Sequence, residues 1–477
     1  MKSVNPGEKK TLFVFIIIAL EIVFALLTFI NFYSHDLSIY YDTDTFVQAS
    51  QHNFYSVDFF LDWRLPFIPL LYKILNCDFI AIGYLQTILY ILSWLFLSWT
   101  LTKIIQSNWL KITSVFGVLF IGLVPEFQIW NNILLSESIS ISLLVIFVAF
   151  LILHNAIKKK GYALGIVGIA AIFSFTRDTN SYIVLMLALF YLVFFFVQRP
   201  RNYQYLFLTT FFSMFFLFTN FTSEMLKNVR SDDGTPILKR YQIPLFNIYH
   251  FKVLTNNDTI EIFKKYGMPV SPNLQSIQKH RNWYVLLFRE KEFKDFVFWV
   301  LNYGKNSYAK FLIFHPLYTI NELLINQEKI FLLANKSSIF KYASMPKVTS
   351  SSRFTINSQF PNRFFHQAKN RKELLQLLRS KGIGHTFIPF KFILFGLGGL
   401  LFITMAMACV FRFSWTRRDG LLYFAMFIFA FPHILLCFHG DAIEIERHCV
   451  GSLAHLLIAI FLLIIFLMGN LFDKKKK

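Results

Sequence analysis

The chain has little charge, few cysteines and none of the short motifs that usually announce chemistry. Asp, Glu, Lys and Arg make up 16% of its 477 residues, while 55% are hydrophobic. A soluble domain averages about 45–50% apolar residues, so a large soluble enzyme is excluded. The four cysteines, Cys77, Cys409, Cys437 and Cys449, show neither metal-ligand spacing nor a disulfide framework, and they read as small buried hydrophobes. There is no nucleophile elbow, no phosphate-binding glycine loop and no zinc motif. Internal repeats and low-complexity tracts are also missing.

What is present is apolar length. The chain holds 60 Phe and has a mean hydropathy of +0.50. Several apolar runs approach the roughly 20 residues that cross a hydrocarbon core. The first, Met1 to Thr28, has lysines followed by an apolar stretch and resembles a secretory signal. That stretch continues to Phe32 with no small-residue cleavage site, so a retained first span is expected. Ten spans are predicted, at 11–33, 79–101, 111–124, 136–154, 162–176, 180–197, 203–220, 386–410, 421–438 and 453–472. Residues 65–76 are apolar but too short to cross and suit a helix dipping into the membrane.

Basic residues test this count. Lys2, Lys9 and Lys10, then Lys103 and Lys111, Lys158 to Lys160, Arg199 and Arg201, Arg412, Arg417 and Arg418, and Lys474 to Lys477 all fall on one side if every span is real. The positive-inside rule makes that side cytoplasmic. The expected class is an all-α polytopic membrane protein in three parts. Residues 1–220 form a seven-span module whose first outer loop is 34–64. Residues 221–385 form an extracytoplasmic, mostly helical domain, and 386–477 form a three-span module. Amphipathic runs at Phe293–Leu301 and Phe364–Leu378 suggest that the domain partly lies on the membrane surface.

That middle segment carries 25 Lys and Arg against 11 Asp and Glu, a net of +14 within the chain's +20. Such a surplus fits anionic lipid headgroups, or an anionic acceptor or lipid phosphate. No nucleic-acid recognition motif accompanies it.

The charged residues that remain converge on the outer side. Asp42 and Asp44 follow the first span, and ionisable groups so close to lipid are costly and usually functional. A helix over 42–52 would put Asp42, Phe46 and Ala49 on one face and turn Asp44 away from it. Asp42 is placed to accept a proton or, more simply, to favour a helix N-terminus. Arg64, Arg177 and Arg447 sit at outer span ends, and an arginine fork suits phosphate. Local pairs offer a plainer account: Arg177 with Asp178, and Arg447 with Glu444 or Glu446. Glu137 opens the fourth span, where the helix dipole alone would favour it. His433, His439, His448 and His455 cluster late in the chain without metal spacing and read as hydrogen-bonded histidines. His439 and Asp441 complete the supporting set.

Taken in order, these residues resemble the GT-C glycosyltransferases, the multispan class that uses polyprenyl-phosphate sugars. The likeness is to dolichyl-phosphate-mannose protein mannosyltransferases and aminoarabinose transferases. It rests on Asp42, Phe46 and Ala49, on Arg64-Leu65-Pro66 with Pro69, on Glu137 and Arg177, and on Arg447 behind Gly440-Asp441. It spans residues 1–220 and 439–450; Leu65 stands where a proline is common, and 221–385 matches nothing. The resemblance implies a donor phosphate at Arg177, Arg447 and Arg64. It also implies Asp42 as general base, with Asp44 assisting or joining it on a Mg or Mn ion. The sugar would pass with inversion to a glycan, lipid or protein acceptor. Two other readings stand beside it: a lipid-diphosphate-dependent O-antigen ligase or polymerase, and a lipid or solute transporter. The Phe, Ile and Lys bias points to a bacterial inner membrane with an outward-facing site; the terminal lysines also fit endoplasmic-reticulum retrieval.

Overall fold

A computed structural model describes residues 6–473, except 36, 63, 198–201, 226–241, 275, 280–282, 332–389, 411–417 and 443. Among the described residues there are helices and no strands. All ten predicted spans fall on helices, and eight of these are long and apolar enough to cross a membrane. In chain order the first eleven helices are α1 (Pro6–Ser34), α2 (Tyr41–Gln51), α3 (Val57–Leu61), α4 (Phe67–Ile74), α5 (Phe79–Ile104), α6 (Asn108–Gly122), α7 (Pro125–Gln128), α8 (Glu137–Ile157), α9 (Lys160–Ser174), α10 (Asp178–Val197) and α11 (Tyr203–Met225). The middle segment contributes α12 (Gln242–Ile248), α13 (Asn257–Lys265), α14 (Trp283–Arg289), α15 (Lys294–Trp299), α16 (Lys305–Phe314), α17 (Pro316–Ile325) and α18 (Gln327–Ile330). The chain closes with α19 (Phe390–Val410), α20 (Arg418–His439) and α21 (Ile445–Asp473).

Two predicted spans, the third at 111–124 and the fifth at 162–176, are helices too short to cross by themselves. The third is the single helix α6, and the Pro125–Asn132 stretch that follows it sets off at a bend of 55°. Pro125 lacks a backbone donor and starts a new helix instead of continuing the old one. The fifth, α9, has 15 residues, about 22 Å at 1.5 Å per residue and short of the roughly 30 Å hydrocarbon core. The last span also begins earlier than predicted, at Ile445 instead of 453. Arg447 therefore lies within the first turn of a helix, not in a loop. Residues 65–76 form the short α4 as expected, with Ile68, Pro69 and Tyr72 buried.

Enclosure ranks the helices. α8 and α21 are the most buried of the candidate spans, whereas α1 and α19 are mostly exposed at the edge. The two central helices each present a charged side chain in their first turn, Glu137 on α8 and Arg447 on α21. A small backbone bridge brings the loop after α1 to them. Ser38 N donates to Asn132 O at 2.7 Å and Leu134 N donates to Ser38 O at 3.1 Å. Thr43 then donates its hydroxyl to Leu134 O at 2.9 Å, and Tyr72 reaches the same carbonyl at 3.0 Å. This stitching holds α2 beside the start of α8, so Asp42 and Glu137 become neighbours although they are far apart in sequence.

The middle segment has a core of its own. Phe246, Tyr249, Phe263, Phe296, Trp299 and Phe311 form a buried aromatic cluster separate from the bundle's. The predicted run at 293–301 takes part in it, as α15 and the turn that follows. The run at 364–378 lies outside the described residues. The expectation that cysteines are buried holds for Cys437 and Cys449, but Cys77 is half-buried and Cys409 is exposed; all four are free.

Candidate functional site

One cavity of about 500 Å³ opens where the N-terminal ends of α8, α10 and α21 meet the C-terminal end of α20. Asp42, Arg64, Arg177, Asp178, Asp441, Glu444, Arg447 and His448 all face it. Its volume falls in the range of small-molecule sites, roughly 300–1,000 Å³. α12 of the middle domain closes one wall with Ile243, Pro244 and Asn247.

Arg447 is the hub. It is buried and spends each guanidinium nitrogen on a different carboxylate: Nε to Glu137 Oε1 at 2.6 Å, Nη1 to Glu444 Oε2 at 2.7 Å and Nη2 to Asp42 Oδ2 at 2.6 Å. Its guanidinium also sits over the Tyr40 ring, 5.2 Å from the centroid. The other Asp42 oxygen meets Arg64 Nη2 at 2.7 Å, and Arg64 is oriented by donating Nε–H to Thr45 at 2.6 Å and stacking on Phe46. Arg177 gives Nη1 to Glu137 Oε1 at 3.1 Å and Nη2 to His448 Nδ1 at 3.1 Å. The other nitrogen of His448 faces Asp441 Oδ2 at 3.4 Å. Because a guanidinium only donates, Nδ1 must accept and Nε2 carries the proton toward Asp441.

This network is dense enough to set its own protonation. Burial by itself would raise the Asp42 carboxyl; Arg447 and then Arg64 outweigh it and hold the group below its ordinary range. Glu137 accepts both of its cations on Oε1, while Oε2 is buried and accepts no hydrogen bond from the described residues. Glu444 carries a backbone φ of +56°, a left-handed conformation that costs a non-glycine residue about 1–3 kcal/mol and clusters at functional sites. Just before it, Gly440 turns the chain out of α20. A Cβ there would lie 2.5 Å from the Leu436 carbonyl oxygen, so a side chain at this corner would force the backbone apart.

The geometry sorts the predicted residues. Asp42, Arg64, Glu137, Arg177, Asp178, Asp441, Glu444 and Arg447 are brought together. Asp44 is not: it is exposed on the far side of α2 and absent from the cavity wall, so the expected Asp42–Asp44 pair, acting together or on Mg or Mn, has no counterpart here. Among the described residues no group of three or more His, Cys, Asp or Glu could hold a metal ion. Glu446 is buried in the first turn of α21 but does not line the cavity. His439 points at the middle domain instead, with Nδ1 3.2 Å from the Tyr308 hydroxyl and Nε2 3.3 Å from Thr319 O. The arginines are also less available than phosphate binding would suggest. Three guanidiniums, Arg64, Arg177 and Arg447, meet five carboxylates, Asp42, Glu137, Asp178, Asp441 and Glu444, so these side chains bring no surplus positive charge to the site.

Sequence reasoning missed three contributors. His448 reads from the sequence as an ordinary hydrogen-bonded histidine, and its place directly after Arg447 is the signal that would have put it in the site. Asn247 donates to Asp441 Oδ1 at 3.3 Å, and Lys252 donates to the carbonyls of Phe438 and Asp441 at 2.6 and 2.9 Å. Both come from the middle domain, nearly two hundred positions away in sequence, and no local pattern marks them. Burial lowers the Lys252 ammonium to about 8. Through these contacts the middle domain clamps the Gly440–Asp441 turn.

No family model, curated protein or solved structure matches the chain. Its helices and their apolar lengths define a polytopic, all-α protein of the kind that resides in a membrane.

Proposed function

We propose that this protein is an integral-membrane glycosyltransferase that moves a sugar from a polyprenyl-phosphate donor to an extracytoplasmic glycan, lipid or protein acceptor. The observation that supports it is one cavity at a common end of the helices, holding an ionised aspartate between two arginines. The chemistry requires such a pairing. Asp42 takes the proton from an acceptor hydroxyl, and the acceptor oxygen bonds to the anomeric carbon from the face opposite the phosphate. The bond from that carbon to the phosphate oxygen breaks, and the electron pair leaves with the lipid phosphate. Guanidiniums stabilise the charge that builds up there.

The resting pairs add a condition. Asp42 is held by Arg447 and Arg64, and a carboxylate so stabilised is ionised but a weak base. An arriving phosphate competes for the same guanidinium donors. As it takes them, Asp42 loses its partners and its basicity rises in the same step. The proposal takes the cavity to face outward: if the bent α6–α7 segment and the short α9 also cross, Lys103, Lys111 and Lys158 to Lys160 share one side, which the positive-inside rule makes cytoplasmic, and the cavity lies opposite. Charge gathered at helix ends, with no visible repeat, counts against a transporter, which places its site near the midplane.

The test is transfer by the purified protein in lipid, offered radiolabelled polyprenyl-phosphate sugars and a crude envelope extract. Wild type should move label to the extract, and Asp42→Asn should slow transfer by about 10²–10⁴-fold, the usual share of a general base. The same variant should bind polyprenyl phosphate at least as tightly as wild type, since its arginines are released. Weaker binding would make Asp42 an organiser of the arginines and not a base. Consumption of a diphosphate-linked donor alone would favour the ligase reading. Donor left untouched by a folded wild type would overturn the transferase.

A further inference from the structure

The helix α17, Pro316–Ile325, stands between the two cores. Tyr318 packs against the core of the middle domain and Leu323 against that of the bundle. The Thr319 carbonyl lies 3.3 Å from His439 Nε2 at the very end of α20. The next helix, α18, buries Ile330 in the bundle core beside α21. These ties fix α17 at the level where the candidate spans end.

Two faces of α17 are therefore used, but none of its residues is buried. The third face is apolar: Leu317, Ile320 and Leu324 are 76%, 51% and 59% exposed, at spacings of three and four that align them on one side of a helix. Ile325 beside them and Ile313 and Phe314 at the end of α16 are each more than 70% exposed. A contiguous apolar surface of this kind marks an interaction site. Its neighbour α20 already presents Ile428 and Phe431 outward, on a span whose outer side faces lipid. The domain that carries α17 has 25 basic residues to 11 acidic ones, which suits anionic headgroups.

We infer that α17 is an interfacial helix whose apolar face is covered by the lipid of the bilayer that the spans cross, seated at the boundary between headgroups and acyl chains. This inference does not rest on the transferase reading. It gives the middle domain a fixed depth, and with it the Asn247 wall of the cavity and the Lys252 clamp.

The experiment places a photoreactive phenylalanine analogue at Leu317, Ile320 or Leu324 of the full-length protein. The protein is reconstituted in bilayers of phosphatidylethanolamine and phosphatidylglycerol. Phe431, on a span, is the lipid-facing reference, and Glu328, exposed on α18, is the water-facing one. Irradiation should give lipid adducts at all three α17 positions at about the Phe431 level and about tenfold above Glu328, as for a helix embedded in the interface. Adducts at Phe431 but only background at the three α17 positions would overturn the inference. So would a cross-linked dimer in place of lipid adducts, since a second copy would then cover the face.

Discussion

The two ends of α8 carry charge in opposite ways. At its start, Glu137 is 1% exposed and is enclosed by Arg447 and Arg177. At its end, Lys158, Lys159 and Lys160 are all exposed. The helix has 21 residues, about 30 Å of rise, which matches the hydrocarbon thickness. One helix thus joins a buried, mutually satisfied ionic cluster to an open basic turn. The difference teaches how to read charge in such a chain. Exposed lysines set orientation and need no partners, whereas buried ions must be matched and so mark the place where the fold has been committed to a task.

The largest break in this contrast should come from the hub. Arg447→Met leaves Glu137 buried without its main partner and should cost about 3–5 kcal/mol, the usual penalty for orphaning a buried charge. Thermal unfolding of the detergent-solubilised protein measures it. Adding Glu137→Gln to Arg447→Met should return part of the loss; a double variant as unstable as the sum of the singles would mean that the two residues are not coupled. Arg447→Lys should rescue little, because one ammonium cannot span three separate carboxylates in the geometry of the fork.

A pH titration probes the same cluster more gently. The Asp42 carboxyl lies lower in the folded protein than its ordinary value of 3.8. Its contribution to stability is therefore complete above that value and is lost as pH falls through the lower folded-state value. Wild type should lose stability in acid below about pH 4 more steeply than Asp42→Asn. Identical acid profiles would show that the Asp42 pairs contribute nothing net.

Smaller effects should come from the exposed charges. Asp44→Asn should leave transfer within about twofold of wild type, as expected for a surface position away from the cavity. A loss comparable to that of Asp42→Asn would restore the two-carboxylate site that the geometry disfavours. Lys158, Lys159 and Lys160 changed together to Gln should alter stability by no more than about 0.5 kcal/mol. Their effect should appear instead in membrane orientation, read by the accessibility of a tag at each end of α8.

Much of the architecture is legible in the sequence. Apolar runs of span length are a one-dimensional signal, and all ten predicted segments are helices. Two of them are too short to cross by themselves, α6, after which Pro125 starts a new helix at a bend, and the 15-residue α9. The face shared by Asp42, Phe46 and Ala49 was also legible, because it depends only on helical periodicity. Burial of Phe46 and Ala49 and exposure of Asp44 agree with it.

The pairings within the site were another matter. Local reasoning paired Arg177 with Asp178 and offered Arg447 a neighbouring glutamate. Glu444 does pair with Arg447, but Glu137 and Asp42, more than three hundred positions away, complete that arginine's coordination. Sequence by itself determined that this chain is helical, apolar at membrane length, and charged at the ends of its spans, since each of these follows from composition and period. Only the tertiary structure decided which charges meet, because that depends on the Ser38–Leu134 bridge, on the central packing of α8 and α21, and on the clamp supplied by Asn247 and Lys252. Those long-range contacts leave no trace in any local window of the sequence.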